Sequence, residues 1–384
     1  MEQNLKINQI VSYTQKSKFG EGKYYGYGKE KFLGIIKLGT NKNIIGYGET
    51  LVGVYSPKLF KINISYISKF IVGKDLKSSL RQLTNLKRNK FFFDSGILKS
   101  IISGIEIAIF DILAQANHCN HSNIIKNYFQ KKNQISKNTK VYASAGSINS
   151  SLKDLKKDIH RSKGFEINTF KARIGLNKNF SKKIDILKNE IDNFALDLIA
   201  NTYKKNENLR KVQSFLNYIK KTKPVWIEEI LNTDSLYKFK GLKKHKLKFS
   251  YGENFNSFSD FVSLLEYYKF NFINPDLSHL STFDFEFLCN FLEKRNHKDK
   301  IIIHCWGGAI NFIYSLYISQ VFSKNVKFVE FPIAESNFMK KVFQNISIVN
   351  SKCFINERIK SFKDIIDTNK LEKIETSKLT FNFY

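Results

Sequence analysis

Four short apolar runs follow one another at regular intervals in the second half of the chain: VWIEEI (225–230), LKFSYGEN (247–254), FNFINPD (270–276) and KIIIHCW (300–306). Segments with helical spacing lie between several of them, for example FSDFVSLLEYY after the second run. Strands of this length that alternate with helices are typical of a parallel sheet with helical crossovers. These runs therefore predict an α/β fold.

The same alternation extends in both directions from these four runs. Three further runs precede them and one follows, namely VYASAG (141–146), TFKARIG (169–175), FALDLIA (194–200) and VKFVEFP (326–332). Each run but the last precedes a plausible helix. Eight such units are the number that closes a parallel barrel, so we expect a barrel rather than an open sheet.

The first part of the chain follows a different pattern. KFLGIIKLGT (31–40) and NIIGYGETLVGVY (43–55) predict strands with glycine-containing turns, and isoleucines recur at helical spacing between Leu98 and Ala116. About 35 residues follow the barrel and end in LTFNFY. We therefore expect a capping domain over 1–137, a barrel over 138–350, and a C-terminal segment over 351–384 that returns to the cap.

The composition narrows the class of protein. Hydrophobic residues make up 42% of the 384 residues, so a sizeable core can form. No apolar run is long enough to span a membrane, and the first twenty residues lack a signal-peptide pattern. Four cysteines are scattered without paired spacing, which is typical of a reduced compartment. We therefore expect a cytoplasmic protein without a membrane partner.

The formal net charge of +29 admits two interpretations. One is a surface that binds polyanions, and the other is a lysine-rich, solvated exterior. Lysine, asparagine and isoleucine are frequent throughout, and the lysines form no single stripe with interleaved aromatic residues. This distribution favours the solvated exterior, so we expect no nucleic-acid partner. A positive field would still favour small acidic substrates.

Polar residues stand where the expected strands end, which is the end that carries the chemistry of such barrels. Lys171 and Arg173 end the second strand two residues apart, so their side chains share one side. The later strand ends supply Asp197, Glu228, Glu253, Asp276, His304 and Glu330. The interior of a barrel would prefer apolar residues there, so this repetition indicates a site.

Three of these acids lie on successive strands. The segments that separate Asp197, Glu228 and Glu253 each have about the length of one strand–helix unit. Converging carboxylates repel one another unless a cation lies between them, and an all-oxygen ligand set suits Mg²⁺. Each acid alone could be a solvated loop carboxylate. Glu229 neighbours Glu228 and faces the other way on a strand, which makes it the weaker ligand candidate.

Asp276 and His304 belong to adjacent expected strands. A carboxylate that holds one imidazole nitrogen fixes the tautomer and makes the other nitrogen a better base. The alternative is a core histidine that bonds to backbone. The HCNH motif at 118–121 lacks further metal ligands, so we do not expect zinc there.

The strand ends, taken in order, resemble the mandelate racemase branch of the enolase superfamily. The motifs that carry the resemblance are GYGET (46–50), GVYSP (53–57), SGIEIAIFDILAQA (103–116), FKARIG, WIEE, YGEN, NPD, HCWGGA and VEFP. They run over nearly the whole chain. The resemblance implies a modified TIM barrel of the (β/α)7β type, with an α+β capping domain built from the N-terminal region and the C-terminal tail. It also implies Mg²⁺ bound by Asp197, Glu228 and Glu253, and a symmetric homo-oligomer.

The resemblance also implies catalytic roles. Lys171 and Arg173 would lie on one side of a small carboxylate substrate. His304, held by Asp276, would lie on the other side. Glu330 would hydrogen-bond a substrate carboxylate oxygen as charge develops there. The implied reaction class is removal of the proton α to a carboxylate of a hydroxy acid or sugar acid.

The sequence also departs from the family pattern. Ile199 stands where the family often has the asparagine of Asp-x-Asn, and a different register would align IAN (199–201) with that motif and lose the aspartate. We favour Asp197, because FALDLIANT then keeps the strand length. The other departures are Ile230 in place of a proline, and Ser281 and Thr282 in place of paired glycines.

The departure at Arg173 bears on mechanism, because this residue replaces the second lysine of Lys-x-Lys. Arginine stays protonated in proteins and is a poor base, whereas a racemase needs a base on each face. We therefore expect a one-base hydro-lyase that dehydrates an aldonate or aldarate to a 2-keto-3-deoxy acid. Lys171 would neutralise the substrate carboxylate, or act as a base if its pKa is lowered.

Two alternatives to the dehydratase remain open from the sequence. The first is a racemase, epimerase or cycloisomerase on the same scaffold. The second, from another class, is a non-catalytic basic binding protein derived from the fold. Selectivity for the substrate is expected from cap loops at about 16–27 and 53–55. Gly20, Gly22, Gly26 and Gly28 indicate that the first of these loops is mobile and can close over the substrate.

Overall fold

The computed structural model describes residues 5–18, 30–51, 57–89, 96–146, 148, 150–176, 180–201, 209–306, 308–333 and 336–373. The first of its two sheets is antiparallel and has the order β14–β1–β2–β3. The bounds of its strands are β1 Ile7–Lys18, β2 Glu30–Thr40, β3 Ile45–Thr50 and β14 Leu371–Lys373. Together with the helices that follow β3, this sheet forms the cap.

The cap helices are α1 Pro57–Ile71, α2 Leu76–Arg88, α3 Gly96–Ala116 and α4 His121–Tyr128. Helix α3 is buried from Lys99 to Ala114, because the cap sheet and the barrel cover it from different sides. Strand β3 approaches α3 so closely that only glycine fits. A Cβ on Gly48 would lie 1.8 Å from the carbonyl oxygen of Gly104. The GYGET motif is therefore a packing motif in the cap.

Eight parallel strands close the barrel, since β11 pairs with β4 as well as with β10. Their bounds are β4 Thr139–Ala145, β5 Thr169–Arg173, β6 Asn193–Asp197, β7 Ile227–Glu228, β8 Phe249–Tyr251, β9 Phe272–Ile273, β10 Ile301–Ile303 and β11 Val326–Pro332. This barrel and the antiparallel cap sheet confirm the fold class that the sequence predicts.

Helices connect most successive barrel strands. They are α5 Leu152–Gly164, α6 Phe180–Glu190, α7 Leu209–Ile219, α8 Phe258–Glu266, α9 Thr282–Lys294 and α10 Ala309–Val321. Between β7 and β8 the connection is a run of 3₁₀ turns over Thr233–His245 instead. Helix α10 is buried along its whole length, which explains why the sequence AINFIYSLYISQV has no polar face.

An aromatic cluster fills part of the barrel interior below the polar strand ends. Tyr142, Trp226 and Phe272 pack there in edge-on contacts, with ring centroids 5.1 Å apart for Tyr142 and Trp226 and 6.4 Å apart for Trp226 and Phe272. Ala195 and Ile302 complete the cluster. This packed floor leaves the carboxyl ends of the strands as the place where polar groups gather.

The C-terminal part of the chain contacts both the barrel and the cap. After the short helix α11 Lys340–Phe343, the hairpin β12 Ile346–Val349 and β13 Lys352–Ile355 pairs with β4. The buried Asp111 of α3 then accepts hydrogen bonds from Ser361 Oγ at 3.1 Å and Phe362 N at 3.0 Å. Strand β14 finally pairs with β1. The domain boundaries at 137 and 350 stay a prediction.

Two expectations about the cap fall largely outside the described residues. The loop expected at 16–27 is described only to Lys18, where it is still strand, and the loop at 53–55 is not described. Among the residues that are described, no helix is both long and apolar enough to cross a membrane.

Candidate active site

Three carboxylates converge at the carboxyl ends of β6, β7 and β8. Asp197 and Glu228 are paired in register, and Glu253 follows β8 by two residues. One oxygen from each residue lies within 4.8 Å of the others. Asp197 and Glu228 are fully buried, whereas 15% of the Glu253 side chain is exposed. The three strand ends thus form an acidic cluster with one accessible member.

The electrostatics of this cluster fit a bound cation. Burial raises the pKa of Asp197, Lys171 lowers it, and the neighbouring Glu228 and Glu253 raise it, to a value of about 7. Asp197 Oδ2 is buried without a hydrogen-bond partner in the described structure. A hard divalent cation would relieve the crowding of negative charge and use this oxygen. The donor set therefore suits Mg²⁺, and among the described residues it is the group that could hold a metal.

Lys171 lies at the centre of the acids. Its Nζ is 2.6 Å from Glu228 Oε1, 3.4 Å from Glu330 Oε2 and 3.9 Å from Asp197 Oδ2, and the side chain is fully buried. Burial lowers the pKa of Lys171, but the surrounding carboxylates outweigh it and raise the pKa. In this arrangement Lys171 is an ammonium that balances the acids, and a cation bound to Asp197, Glu228 and Glu253 would lessen their effect on its pKa.

Arg173 lies beside Lys171, as the two-residue spacing predicts. Its Nε is 3.6 Å from Asp197 Oδ2, and its Nη1 donates to the carbonyl of Gly146 at 3.3 Å. The guanidinium is about nine-tenths buried. It adds a second fixed positive charge to the cluster, beside Asp197.

His304 and Asp276 form the pair that the strand order predicts. A parallel bridge joins the two residues, and Asp276 Oδ2 lies 2.7 Å from His304 Nδ1. Asp276 also accepts from the backbone N–H and the hydroxyl of Ser278, at 2.8 and 2.6 Å. His304 Nε2 points into the cluster, 3.3 Å from Glu253 Oε2 and 3.7 Å from Glu330 Oε2. The ring is thus fixed through Nδ1, with Nε2 facing the acids.

The charge on His304 depends on these acids. Burial lowers its pKa, but Glu253, Glu330 and the hydrogen bond to Asp276 raise it to about 10. Glu253 is the largest of the charges that raise it. A cation bound to Glu253 would therefore remove much of this effect and favour the neutral imidazole.

Glu330 is an acceptor in this arrangement. Burial raises its pKa, but Lys171, His304 and Arg173 lower it to about 2, so the carboxyl is ionised. Its Oε2 accepts from the Tyr142 hydroxyl at 3.0 Å. The role that the resemblance implies for Glu330, a hydrogen bond to a substrate carboxylate oxygen, stays a prediction.

The positioning groups beneath the carboxylates are residues that sequence reasoning did not single out. Trp226 Nε1 donates to Glu228 Oε2 at 3.0 Å, and Asn274 Nδ2 donates to the same oxygen at 2.9 Å. Both bonds leave Glu228 Oε1 for the cluster. Strand parity contained a signal, since Trp226 and Glu228 are two residues apart and share a side.

The neighbouring Glu229 belongs to a separate network. Its Oε1 accepts from Asn201 Nδ2 at 2.6 Å and from Asn254 Nδ2 at 3.0 Å. Burial, followed by the charges of Glu253 and Asp197, raises its pKa well above the usual range of a carboxyl. Asn201, the residue that the other register would bring to the site, therefore contacts Glu229, while Asp197 lies in the acidic cluster.

The loop residues that depart from the family pattern have local partners. Ile199 has a positive φ of 40°, and its N–H donates to Asp197 Oδ1 at 2.8 Å. Ser281 accepts from Asp284 N as the N-cap of α9, and Thr282 N donates to the buried Glu106 at 2.9 Å. A side chain or backbone bond thus supports each of these loops.

A hydrogen-bonded chain runs from the cap to the histidine. Glu49 of β3 accepts from the N–H groups of Ile310 and Asn311 at 3.1 and 3.2 Å, at the start of α10. Asn311 Nδ2 donates to Asp276 Oδ1 at 3.0 Å, and Asp276 holds His304. The glutamate of GYGET therefore caps a barrel helix across the interface.

The two histidines of the HCNH motif do not belong to the acidic cluster, and His121 has a structural role. His121 Nε2 lies 3.0 Å from Asp111 Oδ1, and its ring stacks between Tyr317 and Phe362. His118 is exposed and has a φ of 50° at the turn before α4. The motif therefore helps to anchor the cap.

The fold is that of solved structures in the enolase superfamily. An enolase from the Sargasso Sea environmental sequence matches with a TM-score of 0.77 and 19% identity over 92% of this chain and 93% of that chain. A superfamily member from Agrobacterium tumefaciens matches with 0.76 and 15% identity over 92% and 94%. The 3,6-anhydro-D-galactonate cycloisomerase from Zobellia galactanivorans matches with 0.74 and 16% identity over 96% and 97%. No family model and no curated protein matches the sequence.

Proposed function

We propose that the chain is an enzyme of the mandelate racemase branch of the enolase superfamily. In this proposal it uses Mg²⁺ to remove the proton α to the carboxylate of a sugar acid and eliminates water to give a 2-keto-3-deoxy acid. The observation that carries the proposal is the orientation of His304. Asp276 fixes its Nδ1, and its Nε2 faces the acidic cluster.

The substrate carboxylate would bind between the acidic cluster and the two cations of β5. Asp197, Glu228 and Glu253 would hold Mg²⁺, which when bound would neutralise the carboxylate and stabilise the charge that develops on it. Lys171 and Arg173 add fixed positive charge on the same side. This set of charges explains why the substrate is proposed to be an acid.

His304 is proposed to act as the general base. Its Nε2 takes the α proton, while Asp276 accepts the hydrogen bond from Nδ1–H and stabilises the imidazolium. The same Nε2–H then protonates the hydroxyl that leaves the β carbon. The substrate loses one hydrogen and one hydroxyl as water, His304 returns to its neutral form, and the enol product becomes the 2-keto acid.

Arg173 does not supply a second base, because an arginine stays protonated in proteins. Lys171 contacts Glu228 and Glu330 as an ammonium. A racemase must remove and return protons on both faces, so the arginine at position 173 supports a one-base elimination. The dehydratase is therefore proposed in preference to a racemase or epimerase.

The test is a library of aldonates and aldarates incubated with the protein and Mg²⁺, with 2-keto acids measured as semicarbazones. His304→Asn keeps the shape of the residue but removes the base, so turnover should fall by at least about a hundredfold. His160→Asn is the matched control, because His160 is exposed on α5. Its turnover should equal that of the unmodified protein.

Exchange of the α proton in deuterated water separates the alternatives. Exchange with dehydration, both abolished in His304→Asn, supports the proposal. Exchange with inversion at the α carbon and without water loss would show a racemase or epimerase instead. The histidine-centred mechanism fails if Arg173→Ala abolishes exchange while His304→Asn leaves it unchanged.

A further inference from the structure

The end of the barrel opposite the acidic cluster carries a large excess of positive charge. In a barrel of this kind the loops from each helix to the next strand lie at the face opposite the carboxyl ends of the strands. Five of these loops, counted with the adjoining ends of their helices and strands, cover residues 220–223, 243–248, 266–271, 293–300 and 323–327. Together they contain fourteen lysines and arginines and three acidic residues. We call these five loops the basic face.

A general excess of lysine does not explain the basic face. Two other helix-to-strand loops, over 163–168 and 188–193, lie at the same end of the same barrel. They contain two lysines and three acidic residues. Charge is therefore polarised within one end of the barrel. A drift in composition would have affected these loops alike.

Three lysines of the basic face occupy backbone positions that suit other residues better. Lys223, Lys246 and Lys269 have φ values of 50°, 56° and 56°. The left-handed region costs a residue with a Cβ about 1 kcal/mol, and glycine or asparagine is the ordinary choice there. All three lysines are exposed. Lys269 Nζ also lies 3.5 Å from Glu266 Oε2. The positive charge of the three lysines is present at a conformational cost.

The charges of neighbouring loops act on one another. Burial lowers the pKa of Lys243, and Lys240 and Lys269 lower it further. Burial, Lys244 and Lys220 likewise lower the pKa of His245. Direct contacts join the later loops, because Arg295 Nε lies 3.1 Å from Glu266 Oε1 and Asp299 N donates to the carbonyl oxygen of Lys324 at 3.2 Å. Neighbouring loops therefore form one continuous surface.

Exposed tyrosines lie within these loops or precede them in the sequence, Tyr267 in the 266–271 loop, Tyr218 two residues before the first loop, and Tyr237 in the 3₁₀ segment that leads to the second loop. Tyr237 is 68% exposed, Tyr267 65% and Tyr218 40%, and Lys240 Nζ lies 6.0 Å from the centre of the Tyr267 ring. Among the described residues, the exposed aliphatic side chains are those of Leu59, Ile62, Val72, Ile97 and Val349, and none of them lies in the five loops. Lysines beside exposed aromatic rings suit a chain of phosphates with bases that stack, whereas insertion into a membrane would call for protruding aliphatic groups.

We propose that the basic face binds single-stranded nucleic acid. The lysines of the loops contact the phosphates, and Tyr237 and Tyr267 stack against bases. This proposal departs from the expectation drawn from composition, because the fold gathers lysines that are dispersed along the chain. It does not depend on the proposed dehydratase activity, since the face lies at the other end of the barrel.

The test uses the full-length protein and a fluorescein-labelled 20-nucleotide oligothymidylate, with affinity measured against salt concentration. The variant combines Lys223→Asn, Lys246→Asn and Lys269→Asn, because asparagine suits the left-handed backbone and preserves the fold. Affinity at low salt should fall at least about tenfold. The slope of log affinity against log salt should fall by about 2, because each phosphate of a single strand that the protein no longer neutralises lowers it by about 0.7.

The control removes three exposed lysines from other surfaces, with Lys77→Asn in α2 and Lys153→Asn and Lys157→Asn in α5. It has the same net charge as the first variant, and its affinity should stay within about twofold of the unmodified protein. Equal losses of affinity in the two triple variants would mean that total charge alone drives binding, which overturns the proposed site.

Aromatic variants and vesicles test the class of partner. Tyr237→Ala and Tyr267→Ala should each weaken binding at least about fivefold, as the removal of a base stack predicts. Unchanged affinity in both overturns the single-stranded assignment. Vesicles of phosphatidylcholine with 30% phosphatidylserine should not retain the protein at 150 mM salt. Retention of the protein by these vesicles without binding to the oligonucleotide would identify a membrane surface instead and refute the proposal.

Discussion

Replacing Glu49 with alanine should loosen the start of helix α10 and disturb the histidine that depends on it. Glu49 Oε2 accepts two backbone N–H groups, from Ile310 and Asn311. The N-cap residue itself is Gly308, which has no side chain that could take over. The cap of this barrel helix therefore comes from a residue 262 positions away in the sequence.

The two hydrogen bonds set the expected loss of stability. A hydrogen bond to a charged group contributes about 1.5–3 kcal/mol, and a buried donor without a partner costs about 1–3 kcal/mol. Glu49→Ala should therefore lower the free energy of unfolding by about 3 kcal/mol. Glu49→Gln keeps one oxygen acceptor and loses the charge at the helix N-terminus, so about 1 kcal/mol is expected.

Two measurements check this prediction. In urea unfolding followed by circular dichroism, the unmodified protein should be the most stable, Glu49→Gln less stable and Glu49→Ala the least stable. Hydrogen exchange should accelerate at the amides of Ile310 and Asn311, more than in helix α5, which is capped by its own Ser151. Unchanged exchange at these two amides in Glu49→Ala would refute the capping role, even if global stability fell.

Three further predictions concern packing, metal binding and pH. Gly48→Ala should destabilise the fold by more than about 3 kcal/mol in thermal unfolding, because the added Cβ would lie 1.8 Å from the backbone oxygen of Gly104. Gly164→Ala is the control, since a Cβ there has no atom within 4 Å and should not destabilise the protein. Trp226→Phe removes the donor to Glu228, so Mg²⁺ affinity by calorimetry should fall about tenfold or more. Burial, partly offset by Lys87, raises the pKa of Glu106 from 4.5 to about 7. The folded state therefore favours the protonated carboxyl of Glu106. The free energy of unfolding should be highest below about pH 4.5 and should fall by up to about 3 kcal/mol as the pH rises to about 7. Glu106→Gln should abolish this pH dependence of stability in urea titrations.

The barrel and the polar residues at its strand ends could be predicted from the sequence, because the patterns that indicate them are local. Short apolar runs give the strands, and the parity of side chains within a strand places Lys171 beside Arg173. The order of the strands then brings Asp276 next to His304, which the structure confirms at 2.7 Å. Each of these inferences needs only a few consecutive residues and the rule that parallel strand ends meet at one edge.

Other properties of the site depend on distances that no local pattern encodes. The raised pKa of Lys171 results from three carboxylates within 4 Å of its Nζ. A sequence shows neither how many carboxylates surround a side chain nor how close they are. The same limit applies to Glu49, whose partners lie on a helix more than 200 residues later. The clustering of lysines on the basic face was hidden for the same reason, since the five loops are separated by whole helices and strands.

The pairing of β1 with β14 has a consequence for synthesis on the ribosome. Strand β1 pairs along one side with β14, and Asp111 takes hydrogen bonds from Ser361 and Phe362. While the barrel is still being translated, β1 therefore presents an open strand edge, and a buried carboxylate lacks two of its donors. Unpaired edges of this kind recruit other chains, so the nascent protein stays exposed to aggregation at β1 until Leu371–Lys373 has been translated and pairs with it.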